Sequence, residues 1–231
     1  MKRFFLLCGI FSSVLYVGTD IIGGLLFEGY DFTSQYISEL GAIGATSRSV
    51  VVPLYLIHNF LVTAYAIGVG TTDRHDHSLR AISTILMLYV IVGVIGVLFF
   101  PMSPRGVTPS FTDTMHQVIA AMTVVFIFMM LITAYRNKRF ERWFRLYSIG
   151  TLSIFFVLGI VPFLFAVNVD IGEPTPWVGL VERIMTYGYM LWASVFAISL
   201  IRRVRQLDLN EANADAIEEN FIKSTPEEQE S

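Results

Sequence analysis

The chain has 231 residues, of which 54% are apolar and only 15% are charged, and its formal net charge is −3. Soluble domains carry about 25% charged residues, so this composition excludes an intrinsically disordered protein, a nucleic-acid binder built on basic patches and an ordinary cytoplasmic enzyme. The single cysteine, Cys8, excludes a disulfide within the chain and a cysteine-based zinc site.

Six apolar blocks reach the ~20 residues that a helix needs to cross the hydrocarbon core of a bilayer. Because backbone groups in lipid must satisfy their own hydrogen bonds, these blocks predict helices rather than strands. The first block follows Lys2 and Arg3, but it is too long for the core of a signal peptide and is expected to be retained. The predicted fold is an all-α, six-transmembrane-helix integral membrane bundle with spans at about residues 4–27, 51–70, 81–100, 115–134, 146–167 and 180–201.

Prolines mark three positions along these spans and loops. Pro53 fits the first turn of the second span, where a missing N–H does no harm. Pro162 lies inside the fifth span and is expected to kink it or end it early. The loop at residues 101–109 contains three prolines, which predicts a fixed, non-helical connection.

Basic residues fall mainly on one side of the predicted membrane, at Lys2, Arg3, Arg74, Arg80, Arg136, Lys138, Arg139, Arg142, Arg145, Arg202, Arg203 and Arg205. The opposite loops contain only Arg48 and Arg105. Because cytoplasmic loops are enriched in Lys and Arg, this asymmetry predicts a multi-pass protein of the cell membrane with both termini in the cytoplasm.

The end of the chain differs in composition from the membrane domain, which we expect to comprise residues 1–205. Residues 206–231 contain eight acidic side chains and a single basic one, Lys223, with almost no aromatic residues. Such a segment buries too little apolar surface to offset the entropy of ordering, so we expect a largely disordered acidic cytoplasmic tail. A short helix over residues 207–222 is the alternative.

Five ionisable residues lie inside the predicted spans, where a charge at the bilayer centre costs at least ~2.5–3.5 kcal/mol. They are Asp20, His58, His116, Glu182 and Arg183. The predicted topology puts Asp20 and His58 about 10 Å below the outer surface and the other three within a turn of it. With polar residues of the outer loops added, the sequence predicts an outward-facing pocket lined by Asp20, Ser38, Glu39, His58, Asp113, His116, Glu182 and Arg183.

Each of these residues also has a purely structural interpretation. Arg183 points about 100° away from Glu182 on the same helix, so it needs a partner from another helix, and Asp20 is a candidate for a structural ion pair. A neutral His58 bonded across helices would need no ligand. Asp113 follows Ser110 at the spacing of a helix cap, where the positive end of the helix dipole favours a carboxylate.

Two chemistries suit the predicted pocket. A membrane-embedded hydrolase would use His58, His116 and a carboxylate around a water, with these two histidines as the candidate metal ligands and Ser38 as a further group. A haem held by the two histidines is a third arrangement. A binding site would instead use Arg183 for a lipid phosphate or a carboxylate, with an apolar part lined by Trp177, Tyr187, Tyr189 and Trp192.

The order of several short motifs resembles that of a known family. After Asp20 comes the segment Tyr-Ile-Ser-Glu-Leu-Gly-Ala at residues 36–42, then His58, Phe100-Pro101, His116 and Gly-Leu-Val-Glu-Arg-Ile at residues 179–184. This order resembles the bacterial and archaeal membrane-protein family known as domain of unknown function 998, over about residues 4–203. The resemblance implies the six-helix fold and no activity.

A few residues of the Ile-Ser-Glu-Leu-Gly segment are also similar to the first outer loop of the Frag1/DRAM/Sfk1 group, which implies a link to lipid handling. No histidine follows His116, which counts against the alkaline ceramidase group. From the sequence we therefore expect a pocket that binds a lipid headgroup or small amphiphile. A membrane-embedded hydrolase and a non-catalytic accessory protein stay open, as does homo-oligomerisation. The expected partner is the bilayer and not nucleic acid, and the sequence does not identify a cofactor.

Overall fold

The computed structural model describes residues 1–224, which contain helices and no β-strand. The helices are α1 (Lys2–Leu26), a short 3₁₀-helix η1 (Ile37–Gly41), α2 (Arg48–Thr72), α3 (His77–Phe99), α4 (Phe111–Arg136), α5 (Arg142–Leu158), α6 (Val161–Leu164), α7 (Ala166–Asp170) and α8 (Val178–Ser224). Six stretches are long and apolar enough to cross a membrane, with α5 to α7 together forming the fifth, so the predicted all-α, six-span fold is confirmed.

The outer surface of the bundle is apolar, as contact with lipid requires. Phe60 on α2 is 73% exposed and Phe156 on α5 is 77% exposed, and many aliphatic side chains of the other long helices are also exposed. A soluble protein rarely exposes apolar patches of this extent, because the hydrophobic effect opposes their contact with water. The exposed surface therefore agrees with membrane insertion.

The fifth span is interrupted, as Pro162 predicts. α5 ends at Leu158, and the two short helices α6 and α7 continue the path to Asp170. Because Pro162 lacks an N–H, it cannot bond the carbonyl of Leu158, the residue at which α5 ends. Pro53, expected in the first turn of the second span, instead lies inside α2, which continues past it. The hydroxyl of Tyr36, from the loop before η1, donates a hydrogen bond to the carbonyl of Pro162 at 2.5 Å. This hydrogen bond connects the interrupted part of the fifth span to the residue that precedes η1.

The long helices form a closed ring in which each packs on its neighbours in the order α1, α2, α3, α4, α5 and α8, with α8 returning to α1. Glycines permit the closest of these contacts, since a Cβ on Gly68 of α2 would lie 3.0 Å from the backbone nitrogen of Leu6 on α1. Between α5 and α8 the interior of the bundle is filled by the stacked side chains of Phe144, Trp192 and Phe196, whose ring centroids lie 5.1 to 6.1 Å apart.

The two ends of the bundle differ, and we name them for what they carry. The loop end carries η1, the loop at residues 100–110 and the loop at residues 171–177; the basic end carries the connections at residues 73–76 and 137–141. The tail predicted at residues 206–231 begins inside α8, which continues as helix to Ser224, and residues 225–231 lie outside the described residues. Disorder of this tail in solution stays a prediction.

Candidate functional site

The Asp20–Arg183 pair joins α1 to α8 near the loop end. Nε and Nη2 of Arg183 donate to the two carboxylate oxygens of Asp20 at 2.9 and 2.8 Å, and the Tyr187 hydroxyl donates to the same carboxylate at 2.5 Å. Asp20 is fully buried and Arg183 is 6% exposed. The geometry is bidentate, which is the strongest arrangement of an arginine–carboxylate pair.

The remaining N–H groups of Arg183 are also used. Nη1 contacts the carbonyls of Phe32, Gln35 and Gly179 at 2.7 to 3.1 Å, and Nη2 donates to the Tyr30 hydroxyl at 2.6 Å. A guanidinium has five N–H donors, and all of them have acceptors here. Arg183 therefore has no donor left for a lipid phosphate or a ligand carboxylate. Its arrangement is that of the structural ion pair, the alternative that the sequence leaves open.

The surroundings of the Asp20–Arg183 pair shift the pKa values of two tyrosines in the adjoining loop. Burial raises the pKa of the Tyr30 hydroxyl, although the hydrogen bond and the charge of Arg183 act in the opposite direction. Burial also raises the pKa of Tyr36, and the negative charges of Glu182 and Glu39 add to this effect. Both phenols therefore stay protonated at neutral pH, where each can donate a hydrogen bond.

Glu39 is held by Arg105, and together they connect the loops of the loop end. Nη2 of Arg105 lies 2.7 Å and Nε 3.2 Å from the Glu39 carboxylate. Nη1 of Arg105 donates to the Thr175 hydroxyl at 2.9 Å, and that hydroxyl donates to the Ser34 carbonyl at 2.6 Å. Arg105 thus links η1, the 100–110 loop and the 171–177 loop. The sequence does not predict this role, although Arg105 is one of only two basic residues in the loops expected on that side.

Asp113 has a structural role as well. Its carboxylate accepts hydrogen bonds from the backbone and hydroxyl of Ser110, at 2.8 and 2.7 Å, and from the backbone and hydroxyl of Ser103, at 2.7 and 2.9 Å. The pair Ser110 and Asp113 forms a capping box at the start of α4. The capping interpretation of Asp113 therefore matches the observed contacts.

Beneath η1 the bundle contains two adjoining cavities of about 250 and 210 Å³. The first lies toward α5, α6 and α7, and the second lies toward α2. Both are lined by residues from α1, η1, α3, α4 and α8, including Tyr16, Ser38, Tyr89, His116, Thr123 and Glu182. Because the lining is shared, we treat them as the two arms of one cavity, the proximal arm (250 Å³) and the distal arm (210 Å³).

The predicted site residues divide between this cavity and the walls around it. Ser38, His116 and Glu182 line both arms, His58 lines the distal arm, and Asp113 lines the proximal arm. Asp20, Glu39 and Arg183 line neither arm and instead hold the surrounding elements in position. The positions of these residues along the predicted spans and loops place all of them at or near the loop end, but they do not show which of them face the cavity.

The two histidines have the same hydrogen-bonding pattern. Nδ1 of His58 lies 2.9 Å from the carbonyl of Ser12, and Nδ1 of His116 lies 2.9 Å from the carbonyl of Phe100. A carbonyl can only accept, so each Nδ1 carries the proton, and in the neutral ring Nε2 is then an acceptor. Neither Nε2 has a hydrogen-bond partner among residues 1–224. His58 is only 3% exposed, so its free nitrogen faces the distal arm rather than solvent.

Glu182 is half satisfied. One carboxylate oxygen accepts the backbone N–H of Ile37 at 2.7 Å, and the other has no hydrogen-bond partner in the described part of the chain. The buried hydroxyl of Tyr55, at the distal arm, also lacks a partner, although its ring is 5.3 Å from that of Tyr16. Buried polar groups are almost always hydrogen-bonded in native proteins. Each such exception therefore calls for a physical explanation.

The Asp, Glu, Lys and Arg residues that line the cavity within the described part of the chain are all acidic. Within residues 1–224, neither arm is lined by a lysine or an arginine, whereas Glu182, Asp113 and Asp170 all line the proximal arm. Asp170 has no ion pair or side-chain hydrogen bond to a described residue. Asp170 was not singled out from the sequence, because it follows the predicted fifth span (residues 146–167) as an isolated carboxylate. In the structure it is the last residue of α7, beyond the interruption at Pro162, and it lines the proximal arm.

The described residues contain no group of three or more His, Cys, Asp or Glu that could hold a metal ion. His58 and His116, the candidate metal ligands, line one cavity without a third ligand at coordinating distance. The hydroxyl of Ser38 donates to the sulfur of Met102 at 3.4 Å, and no hydrogen bond joins it to either histidine.

Comparison with known proteins gives one match. The family model described as Protein of unknown function (DUF998) matches residues 10–199, which include every residue that lines the two arms of the cavity. No curated protein and no solved structure matches the chain.

Proposed function

Because the chain belongs to the family Protein of unknown function (DUF998), whose description assigns no activity, we propose from the geometry of the site that the protein binds a small amphiphile inside the membrane. The location that fits six apolar spans is the cell membrane. The amphiphile occupies the cavity beneath η1, with its polar head at His58, His116 and Glu182 and its apolar part among the aromatic and aliphatic side chains of the proximal arm.

The observation that carries this proposal is the set of polar groups that face the cavity without protein partners. They are the free oxygen of Glu182 and the Nε2 atoms of His58 and His116. A hydrogen bond contributes about 0.5–1.5 kcal/mol net, so a ligand that pairs with several of these atoms gains binding energy.

The size and lining of the cavity support a small ligand. Typical small-molecule sites measure about 300–1,000 Å³ and are mostly apolar with a few polar groups. The arms of about 250 and 210 Å³ together suit one flexible chain with a compact head. The proximal arm supplies the apolar surface through Ile127, Phe155 and Met190.

The side of the membrane follows from the distribution of basic residues. The basic end carries almost all Lys and Arg of the loops, so in our proposal it is cytoplasmic and the cavity lies near the outer surface. The loops joined by Arg105 and Glu39 then cover the cavity on the outer side. A ligand enters past these loops or from the outer leaflet beside the interrupted fifth span.

The test uses a residue that lines both arms. Ala120 on α4 lines the proximal and distal arms, so Ala120→Phe fills space that a ligand would occupy. Val118, on the same helix, is 45% exposed toward lipid, and Val118→Phe adds a ring outside the cavity as a matched control. The protein is placed in phosphatidylcholine nanodiscs and titrated calorimetrically with dodecylamine, dodecanol and dodecanoate, with protein-free nanodiscs as the reference.

We expect at least one of the three probes to bind saturably to wild-type protein and to the Val118→Phe variant, and not to the Ala120→Phe variant. If none of them binds wild-type protein above the protein-free reference, the proposed function is wrong and a non-catalytic structural role is favoured. If the Ala120→Phe variant binds as tightly as wild type, the ligand does not occupy this cavity.

A further inference from the structure

We infer that the head of the bound amphiphile is a cation, and specifically a protonated amine. This inference rests on the proposed function and adds the chemical class of the ligand. It differs from the expectation drawn from the sequence, in which Arg183 would hold a phosphate or a carboxylate. The guanidinium of Arg183 is fully occupied by Asp20, Tyr30 and backbone carbonyls, so it offers nothing to an anion.

The charges that face the cavity are negative. Glu182 lines both arms, and Asp113 and Asp170 line the proximal arm. Arg183 and Arg105, the basic residues nearest to this region, are turned away into their pairs with Asp20 and Glu39. Two like charges at 4 Å repel by about 4 kcal/mol at an effective dielectric constant of 20, so carboxylates around a cavity oppose an anionic ligand and attract a cation.

The polar groups of the distal arm are acceptors that match an ammonium group. The free oxygen of Glu182 and the Nε2 atoms of His58 and His116 accept hydrogen bonds and have none to donate in these states. A primary ammonium has three N–H donors and no acceptor. An ionised phosphate or carboxylate head offers only acceptor oxygens, so it could not form hydrogen bonds with these acceptors.

The ionised form of Glu182 is costly without such a ligand. Glu182 is partly buried and has one hydrogen bond, so its carboxylate loses part of its hydration free energy, and this loss is offset either by a proton or by an opposite charge. An ammonium group supplies both the charge and a hydrogen bond to the free oxygen. Contacts of about 2.9 Å to an ammonium also tolerate wider ligand spacing than the ~2.1 Å of a zinc site, in agreement with the absence of a metal-spaced set in residues 1–224.

Aromatic rings add to the preference for a cation. Tyr16 and Tyr89 line both arms, and Tyr55 lines the distal arm. The face of an aromatic ring attracts a cation within about 6 Å, and the attraction rises to about 2 kcal/mol or more where both partners are desolvated. Rings of this kind accommodate an ammonium head and also pack against the first methylene groups of its chain.

The comparison of probes in the wild-type protein tests the inference directly. Dodecylamine, dodecanol and dodecanoate share one chain and differ in head charge, so their affinities in phosphatidylcholine nanodiscs isolate the contribution of the head. We expect dodecylamine to bind at least about tenfold tighter than dodecanol, which corresponds to about 1.4 kcal/mol, and dodecanoate to bind most weakly. Equal or tighter binding of dodecanol or dodecanoate overturns the inference while the proposed function stands, whereas no binding of any probe refutes the proposed function itself.

A charge-removing variant locates the effect. Glu182→Gln keeps an oxygen for the Ile37 N–H and removes the negative charge, so dodecylamine binding should weaken about tenfold while dodecanol binding changes little. Glu173→Gln removes a carboxylate from the exposed 171–177 loop, outside the cavity, and should leave both affinities unchanged. Unchanged selectivity in the Glu182→Gln variant contradicts the assignment of the charge to this cavity. Should Glu182→Gln fail to fold, the comparison of the three probes in the wild-type protein decides the inference.

Discussion

At the scale of single residues, the neighbours Glu182 and Arg183 have opposite roles. Consecutive residues of a helix point about 100° apart, so Glu182 faces the cavity while Arg183 faces Asp20 on α1. Gly179, one turn before Arg183, permits the approach of the loop, because a Cβ at this position would collide with the carbonyl of Gln35. The ion pair and the cavity therefore lie on two faces of the same turn of α8.

The Asp20–Arg183 pair should matter for stability more than any exposed pair. Removing one partner of a buried pair leaves an uncompensated charge and costs about 3–5 kcal/mol, so Arg183→Gln should lower the free energy of unfolding by about that amount. Arg142→Gln removes an exposed arginine and should change it by less than about 0.5 kcal/mol. Denaturant unfolding in detergent micelles measures both. Equal effects of the two substitutions would contradict the structural role of Arg183.

A double variant distinguishes a structural pair from two independent residues. With both charges removed, Asp20→Asn combined with Arg183→Gln leaves no isolated buried charge, so its loss of stability should be smaller than the sum of the two single losses. Additive losses, measured by the same unfolding experiment, would mean that Asp20 and Arg183 act independently despite their 2.8 Å contact.

At the scale of elements, the loops of the loop end behave as one connected cap, because Arg105 bonds Glu39 near η1 and Thr175 before α8. We expect Arg105→Gln to raise amide hydrogen exchange in all three loops together and to leave the basic end unchanged. Arg48, the first residue of α2, lies at the same end, but its side chain bonds only the carbonyl of Gly41 at the end of η1, so Arg48→Gln should affect the η1–α2 connection and not the other two loops. Hydrogen exchange confined to the 100–110 loop in the Arg105 variant would show that the loops are not coupled.

The basic end is held by a second network, centred on Asp76. This carboxylate caps α3 through the N–H groups of Ser78 and Leu79 and contacts Arg203 at 3.0 Å and Asn137 at 3.1 Å. Burial by itself would raise the pKa of Asp76, but the hydrogen bonds from Asn137 and Arg203 outweigh it, and the pKa is lowered. A lowered pKa means that the contribution of Asp76 to stability is complete above its unfolded value and is lost as pH falls through its folded value.

Asp76→Asn should therefore lower the stability at pH 7 and remove part of its acid dependence. The difference in melting temperature between wild type and variant should be largest near neutral pH. It should begin to narrow below about pH 4, the ordinary pKa of an unfolded aspartate, and should be lost as the pH falls through the lower pKa of the folded state. Asp208→Asn, which breaks an exposed pair with Arg3, is the matched control and should show little difference at any pH. A difference for Asp76→Asn that is constant between neutral and acidic pH would disprove the charge-based account.

Some of these features follow from the sequence and others depend on the fold. The lengths of the apolar blocks predict six helices, and the chemistry of Pro162 predicts the break in the fifth, because both are local properties. The position of a residue along a span gives its depth but not the direction in which its neighbours pack. The sequence therefore leaves open whether Arg183 pairs with Asp20 or binds a ligand. No role was predicted for Arg105 or Asp170, because the contacts of Arg105 and the position of Asp170 at the proximal arm arise only when distant segments pack together.

At the scale of the whole molecule, the remaining question is which side of the membrane the loop end faces, since this decides the source of the ligand. Cys8, the only cysteine, is 4% exposed on α1, so the wild-type protein should give little background with an impermeant maleimide. Glu173→Cys reports on the loop end, and Lys138→Cys reports on the basic end, because both positions are exposed.

We expect the Glu173→Cys variant to react in intact cells and the Lys138→Cys variant to react only after permeabilisation, as the distribution of basic residues requires. The opposite pattern would turn the cavity toward the cytoplasm. A cationic amphiphile would then reach it from the inner leaflet, whose anionic lipids concentrate cations near the surface. With the expected orientation, the carboxylates of the cavity must themselves supply the attraction, and the loss of selectivity in Glu182→Gln should be seen equally in neutral and in anionic nanodiscs.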